Sequence, residues 1–314
     1  MKRLYWFLLL LPFGCNGVYH FNTDVYKRKV VVESFLSPYA VISVKVSWNM
    51  QEAPDNRARD WGAETINGAR VEIKEDGVVI LNGTTVDGVL TSDIYPSVGK
   101  KYTLSVQVEG QPELTAATSI PPPADMHYSV REKWGASPYR QISDSKDYGY
   151  LSADVSRITL PQEAPAIWIY GHVEYEHGGI GPFWELFSNC PYLDQVNATT
   201  SDVDVHLRES YISYERGFIR IQRSALSLAV PFTFTGYAAW EGLRFFVVQL
   251  YTPSEEYDRF QRSAIKQDIA KRNHSHFINF INDPQHIFSN IRNGTGIFAG
   301  FNVRVVAVPI QIPE

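Results

Sequence analysis

The stretch Val41-Ile-Ser-Val-Lys-Val-Ser-Trp48 decides the fold class. Ile42, Val44, Val46 and Trp48 fall on one side of an extended chain and Ser43, Lys45 and Ser47 on the other. That is the period of two required by a strand with one buried face. Tyr102, Leu104, Val106 and Val108 repeat it, with Thr103, Ser105, Gln107 and Glu109 opposite. Between the two, Val71 and Ile73 run into Glu75-Asp76-Gly77 and then Val78-Val79-Ile80. Asp-Gly tolerates the positive φ of a tight turn, so this segment reads as a hairpin. Short strands, regular turns and no helical period make residues 28–122 an antiparallel sandwich of immunoglobulin or fibronectin type. Ile120-Pro121-Pro122-Pro123 closes it, because a triple proline cannot continue a ladder and favours a stiff extended spacer.

Residues 123–314 are also rich in strand patterns but less regular. Ala166–Tyr170, Gly217–Ile221, Pro231–Thr235, Phe245–Tyr251 and Phe301–Ile310 are the strand candidates. One helix is expected near 253–271, with Thr252 as N-cap, Pro253 in the first turn and Glu255 completing a capping box. Glu255 and Glu256 favour its start, and Lys266, Lys271 and Arg272 its end. No β-α-β alternation is present, so this half is expected to be a larger antiparallel sandwich or barrel with one packed helix. The chain as a whole reads as mainly β.

Composition narrows the function classes. The 314 residues suffice for two domains, and 44% hydrophobic with 20% charged residues describes a chain that folds. Its 29 basic and 34 acidic residues give a net charge of −5, against the basic excess that nucleic-acid binding needs. Two cysteines exclude a disulfide scaffold and a zinc site with four cysteine ligands. Aromatic residues reach 13% while methionine numbers 3, a balance that favours sheets.

Lys2 and Arg3 precede an apolar run from Leu4 to Phe13, ending in Gly14-Cys15. The run falls short of the roughly 20 residues that span a bilayer and has the layout of a secretion signal. Residues 1–14 therefore read as a signal peptide. Leu11-Pro-Phe-Gly-Cys15 resembles a loose bacterial lipobox with Cys15 as the lipidated residue and 15–27 as a tether to the first sandwich; the alternative is an ordinary signal peptide with an incidental cysteine. Pro12 and Phe13 stand where a lipobox prefers leucine and a small residue. Cys190, beside Asn189 and Pro191, has no neighbouring base and reads as a structural thiol.

Candidate sites are few. His172, Glu174 and Glu176 share one strand face, and Asp202, Asp204 and His206 another. Imidazole and carboxylate at a spacing of two residues are candidate metal ligands, although the plainer reading of each stripe is a solvated strand face. The segment Gly178–Phe187 carries Phe183, Trp184 and Phe187 in a glycine-rich loop. These aromatics either plug the second core or form a candidate partner or ligand surface. G-x-S-x-G, H-E-x-x-H and P-loop motifs are absent from the sequence, and no cofactor is expected.

Three C-terminal runs carry a resemblance: Tyr251–Phe260, Asn282–Gln285 and Ser289-Asn-Ile-Arg-Asn-Gly-Thr-Gly-Ile-Phe-Ala-Gly300. Together with Val30–Phe35, Gly68–Ile73, Gly99–Leu104 and Thr118–Pro122, they are similar to a Bacteroidota outer-membrane lipoprotein family of unknown function, DUF4249. The resemblance covers nearly the whole chain. It implies a non-enzymatic lipoprotein anchored to the outer membrane through Cys15, with surface exposure favoured. It also implies a partner, a TonB-dependent β-barrel whose substrate the protein helps to capture or gate. The alternative is a structural or adhesive part of a larger outer-membrane assembly. Within the terminal motif, Gly294 and Gly296 are expected to take positive φ in a turn that aims the last strand.

Overall fold

The period-two stretches become strands whose apolar faces meet across a sandwich. The computed structural model describes residues 28–49, 64–134, 148–175, 180–182, 218–223, 232–239, 243–272 and 287–309. In chain order the strands are β1 Val30–Leu36, β2 Ser43–Trp48, β3 Arg70–Glu75, β4 Val78–Thr84, β5 Val89–Thr91, β6 Lys101–Gln107 and β7 Leu114–Ser119. Then follow β8 Asp125–Trp134, β9 Tyr148–Thr159, β10 Ala166–Tyr175, β11 Ile180–Pro182, β12 Phe218–Gln222, β13 Phe232–Ala239 and β14 Leu243–Pro253. Helix α1, Glu255–Arg272, and strand β15, Thr295–Pro309, complete the described elements. Among the described residues the protein is mainly β with one packed helix, as the patterning requires.

Ile42, Val44 and Val46 are fully buried, and Tyr102, Leu104 and Val106 face them from the other layer. Trp48 is half-buried at the rim, under the Arg28 guanidinium at 4.4 Å. The Asp76-Gly77 turn has positive φ at both residues, 46° and 87°, as a two-residue hairpin between twisted strands demands. Asp76 also ties that turn to β6, accepting from Lys100 Nζ at 2.8 Å and the Lys101 amide at 3.1 Å. These bonds, led by the one from Lys100, hold its carboxyl below the usual range.

Two features depart from the sequence reading. The larger sheet has the order β11-β10-β14-β15-β1-β2-β5, with β12 also pairing β10. Strand β15 joins β1 in parallel, Val31 beside Thr295 through Leu36 beside Gly300, while β14 flanks its other side. One hydrogen-bonded sheet therefore runs from the N-terminal sandwich into the second half, across the division expected at 122/123. Its partner in the sandwich is the sheet β4-β3-β6-β7, and β13-β9-β8 forms a third sheet.

The second departure is the proline segment. Pro121 is buried, its carbonyl accepts from Asn302 Nδ2 at 3.2 Å, and the Ala124 amide donates to Thr252 Oγ1 at 2.8 Å. Where the sequence reading expects a stiff extended spacer, residues 121–124 form a connection tied to β15 and β14 by these two bonds.

The helix starts later than its pattern indicates. Ser254 is the cap: its Oγ accepts from the Tyr257 amide at 3.2 Å and its carbonyl from the Asp258 amide at 3.0 Å. Thr252 and Pro253 are still in β14, paired with Asn302 and Phe301. In the terminal turn the positive φ belongs to Asn293 (62°) and Gly296 (113°), not to Gly294. Gly294 is required for space, since a Cβ there would lie 2.2 Å from Leu114 Cδ2 and 2.9 Å from the Val30 carbonyl oxygen.

Candidate functional site

The pairing register places Trp168, Tyr170, His172 and Glu174 on one face of β10. Directly opposite on β14 are Tyr251, Gln249, Val247 and Phe245, and Arg220 on β12 stands beside Trp168. Helix α1 lies on this face. Its Asp258 accepts from Trp168 Nε1 at 2.8 Å, and from Arg220 Nε at 2.7 Å and Nη2 at 2.8 Å. The ion pair is 8% and 2% exposed, so it is a buried, bidentate clamp holding the first turn of α1 on the sheet.

Beyond the clamp lies an aromatic group. Tyr257 packs on Phe301 with centroids 4.7 Å apart, Tyr251 stacks on Phe301 at 5.8 Å, and Phe35 meets Tyr257 and Phe260 at 5.8 and 5.7 Å. Burial pushes the Tyr257 hydroxyl up to about 12, with the neighbouring Tyr251 adding to it. Burial likewise raises Tyr251, next to Tyr170, and Tyr170 itself. These hydroxyls stay neutral at ordinary pH. They offer hydrogen bonds and ring faces.

Of the candidate residues, His172 and Glu174 are brought to the same strand face, two positions apart. Cys15, Glu176, Phe183, Trp184, Phe187, Asp202, Asp204 and His206 lie outside the described residues. The sequence reading missed Asp258 and Arg220 because each sits in a pattern that reads as solvated. It also missed the tyrosine group, whose members come from two strands and a helix. The only advance signal was the parity shared by Trp168, Tyr170 and His172.

A second surface forms at one end of the sandwich. The carboxyl end of β1, the amino end of β2 and the Asp76-Gly77 turn meet there with the segment 92–99. This end exposes Tyr39 (66%), Tyr95 (60%) and Val78 (68%). A shallow depression of about 480 Å³ lies on the outer face of β3, β6 and β7, lined by Glu72, Lys74, Thr103, Ser105, Glu113 and Thr115 among others. Ser105 donates to Glu113 at 2.5 Å and Lys74 pairs with Glu72 at 2.9 Å, so these groups largely satisfy one another.

The motif near the C-terminus acts within the frame. Asn290 donates to the carbonyls of Ala117 and Phe298 and accepts from the Phe298 amide at 2.9 Å, and Asn293 donates to the Glu113 carbonyl at 2.8 Å. The family model described as "Domain of unknown function (DUF4249)" matches residues 18–305. The chain belongs to that family. The run Ser289–Gly300 is thus the joint between β15 and the sandwich. No curated protein matches the chain. Among solved structures, the chain is similar to a beta-glycosidase from Bacteroides vulgatus at 11% identity and a TM-score of 0.21. The match covers 72% of this chain and 23% of that one, so this chain spans less than a quarter of the glycosidase's length. Among the described residues no helix is long and apolar enough to cross a membrane.

Proposed function

We propose that this DUF4249 member is a non-enzymatic bacterial lipoprotein, anchored in the outer membrane through Cys15. In this reading it accompanies a TonB-dependent β-barrel and helps to capture or gate the barrel's substrate. The observation that carries the reading is the polarity of the sandwich. Tether residues 15–27 lead into the amino end of β1, a strand held between β15 and β2 inside the largest sheet. A pull on the lipid is then borne by an interior strand of that sheet and not by a fraying edge. At the carboxyl end of the same strand, Tyr39 and Tyr95 are exposed beside Val78, and tyrosine is a residue type suited to anchoring a protein partner.

A tagged chain recovered from gently solubilised membranes tests this. A stoichiometric TonB-dependent barrel among the co-purifying proteins is the expected result. Other envelope proteins without a barrel would transfer the reading to a structural assembly. Cys15→Ala is expected to release the chain from the membrane fraction, and unchanged fractionation would remove the anchor from the proposal.

A further inference from the structure

We infer that the N-terminal sandwich is completed only by the chain's C-terminal segment, so that residues 28–120 cannot finish folding until residues 287–309 are available. Phe298 and Ile291 belong to the same core as Val32, Leu36, Ile73 and Leu114, and Phe298 is fully buried there. Strand β15 supplies the whole second ladder of β1, six residue pairs long. The joint with β7 spans great distances in sequence. Asn290 binds the Ala117 carbonyl 173 residues away, Asn293 binds that of Glu113 180 residues away, and the Gly300 amide donates to Thr118 Oγ1 182 residues away.

The fit admits no substitute. A Cβ at Gly296 would lie 2.0 Å from the Val32 carbonyl oxygen, and one at Gly300 2.2 Å from that of Ser119. Without 287–309 the sandwich lacks a central phenylalanine, and β1 becomes an open edge carrying Val31 and Phe35. Such an edge attracts wrong partners. Contacts this distant in sequence also form late, because loop closure precedes their reward. The arrangement is therefore a folding latch, in which the N-terminal half stays unfinished until the far end of the chain docks. In a secreted protein this would keep the chain competent for export. That use rests on the envelope location proposed above, whereas the folding order rests on the sheet alone.

Pulse-labelled hydrogen exchange during refolding of the full chain, read by mass spectrometry, tests the order. Amides of β2, β3 and β6 are expected to gain protection in the same kinetic phase as those of β15. Protection of β2, β3 and β6 in an earlier phase would overturn the inference. At equilibrium, Asn290→Ala in the full chain is expected to speed exchange in β2, β3 and β6 by about tenfold, together with β15. Loosening confined to 287–300 would count against the latch. Neither measurement depends on where the protein resides, so their failure is distinct from failure of the fractionation or pull-down.

Discussion

Asp258, in the first turn of α1, holds Arg220 of β12 through both carboxylate oxygens, at 2.7 and 2.8 Å, with the two side chains 2% and 8% exposed. Trp168 Nε1 donates to the same carboxylate, so a single acid fixes the helix to two strands. Removing one member leaves a buried charge without its partner. Asp258→Ala is expected to cost about 3–5 kcal/mol in urea unfolding. Arg220→Met combined with Asp258→Leu should recover most of that loss, since neither charge is then buried alone. A double variant as unstable as the single one would show that the clamp's geometry, and not its unpaired charge, sets the cost.

The helix cap separates two neighbouring hydroxyls. Ser254→Ala removes the acceptor for the Tyr257 amide and is expected to cost about 1 kcal/mol, with fraying of the first turn of α1. Thr252→Ala removes instead the acceptor for the buried Ala124 amide, at a cost of about 1–3 kcal/mol, with the helix start intact. Amide exchange at Tyr257 and Ala124 distinguishes them. Exchange at Tyr257 accelerated by Thr252→Ala would return the cap to Thr252.

The same pair of residues shows where the sequence stops speaking. Thr252 and Ser254 both stand before acidic residues, and local pattern cannot choose between them. The choice is made by β15, which pairs Pro253 with Phe301 and so keeps the chain extended up to Ser254. Period-two alternation exposed the faces of β2 and β6 and the Asp76-Gly77 turn because those are local matters. It could not name the neighbours of β1, since a strand's pattern records which face is buried and not which strand lies beside it. Strands β8 and β9 escaped for a related reason. The pairing skips Ser156, because His127 lies beside Arg157 and Tyr128 beside Val155, and this extra residue breaks the alternation of β9. Arg220 and Asp258 read as solvated because a charge looks alike in sequence whether it meets water or a buried partner.

The terminal motif gives a paired test of two glycines. Gly296 combines φ 113° with a Cβ position 2.0 Å from the Val32 carbonyl oxygen. Gly110 has φ 73° with nothing within 4 Å. Gly110→Ala is expected to cost about 1–2 kcal/mol, the backbone penalty alone. Gly296→Ala must also push β15 away from β1, and a loss of at least about 4 kcal/mol, or failure to fold, is expected. Similar thermal shifts for the two variants would mean that the β1–β15 contact yields easily.

Alkaline pH should expose the tyrosine group. The Tyr257 hydroxyl is pushed up to about 12 by burial, aided by Tyr251. An unfolded tyrosine ionises near pH 10. Because the folded value is the higher one, the folded protein holds a proton that the unfolded chain releases. The resulting contribution to stability is complete below about pH 10 and disappears as pH rises toward about 12. Tyr102 titrates in the same sense, raised first by burial and further by its bond to Glu75. Stability measured by urea unfolding is therefore expected to be flat through pH 9 and to fall steeply above pH 10. Tyr257→Phe should make the fall shallower, because the variant lacks the proton whose release favours unfolding. An unchanged alkaline slope in Tyr257→Phe, or phenolate absorbance from that side chain at the ordinary tyrosine pH without unfolding, would show that the Tyr257 hydroxyl is solvated and that its packing on Phe301 does not seal it from water.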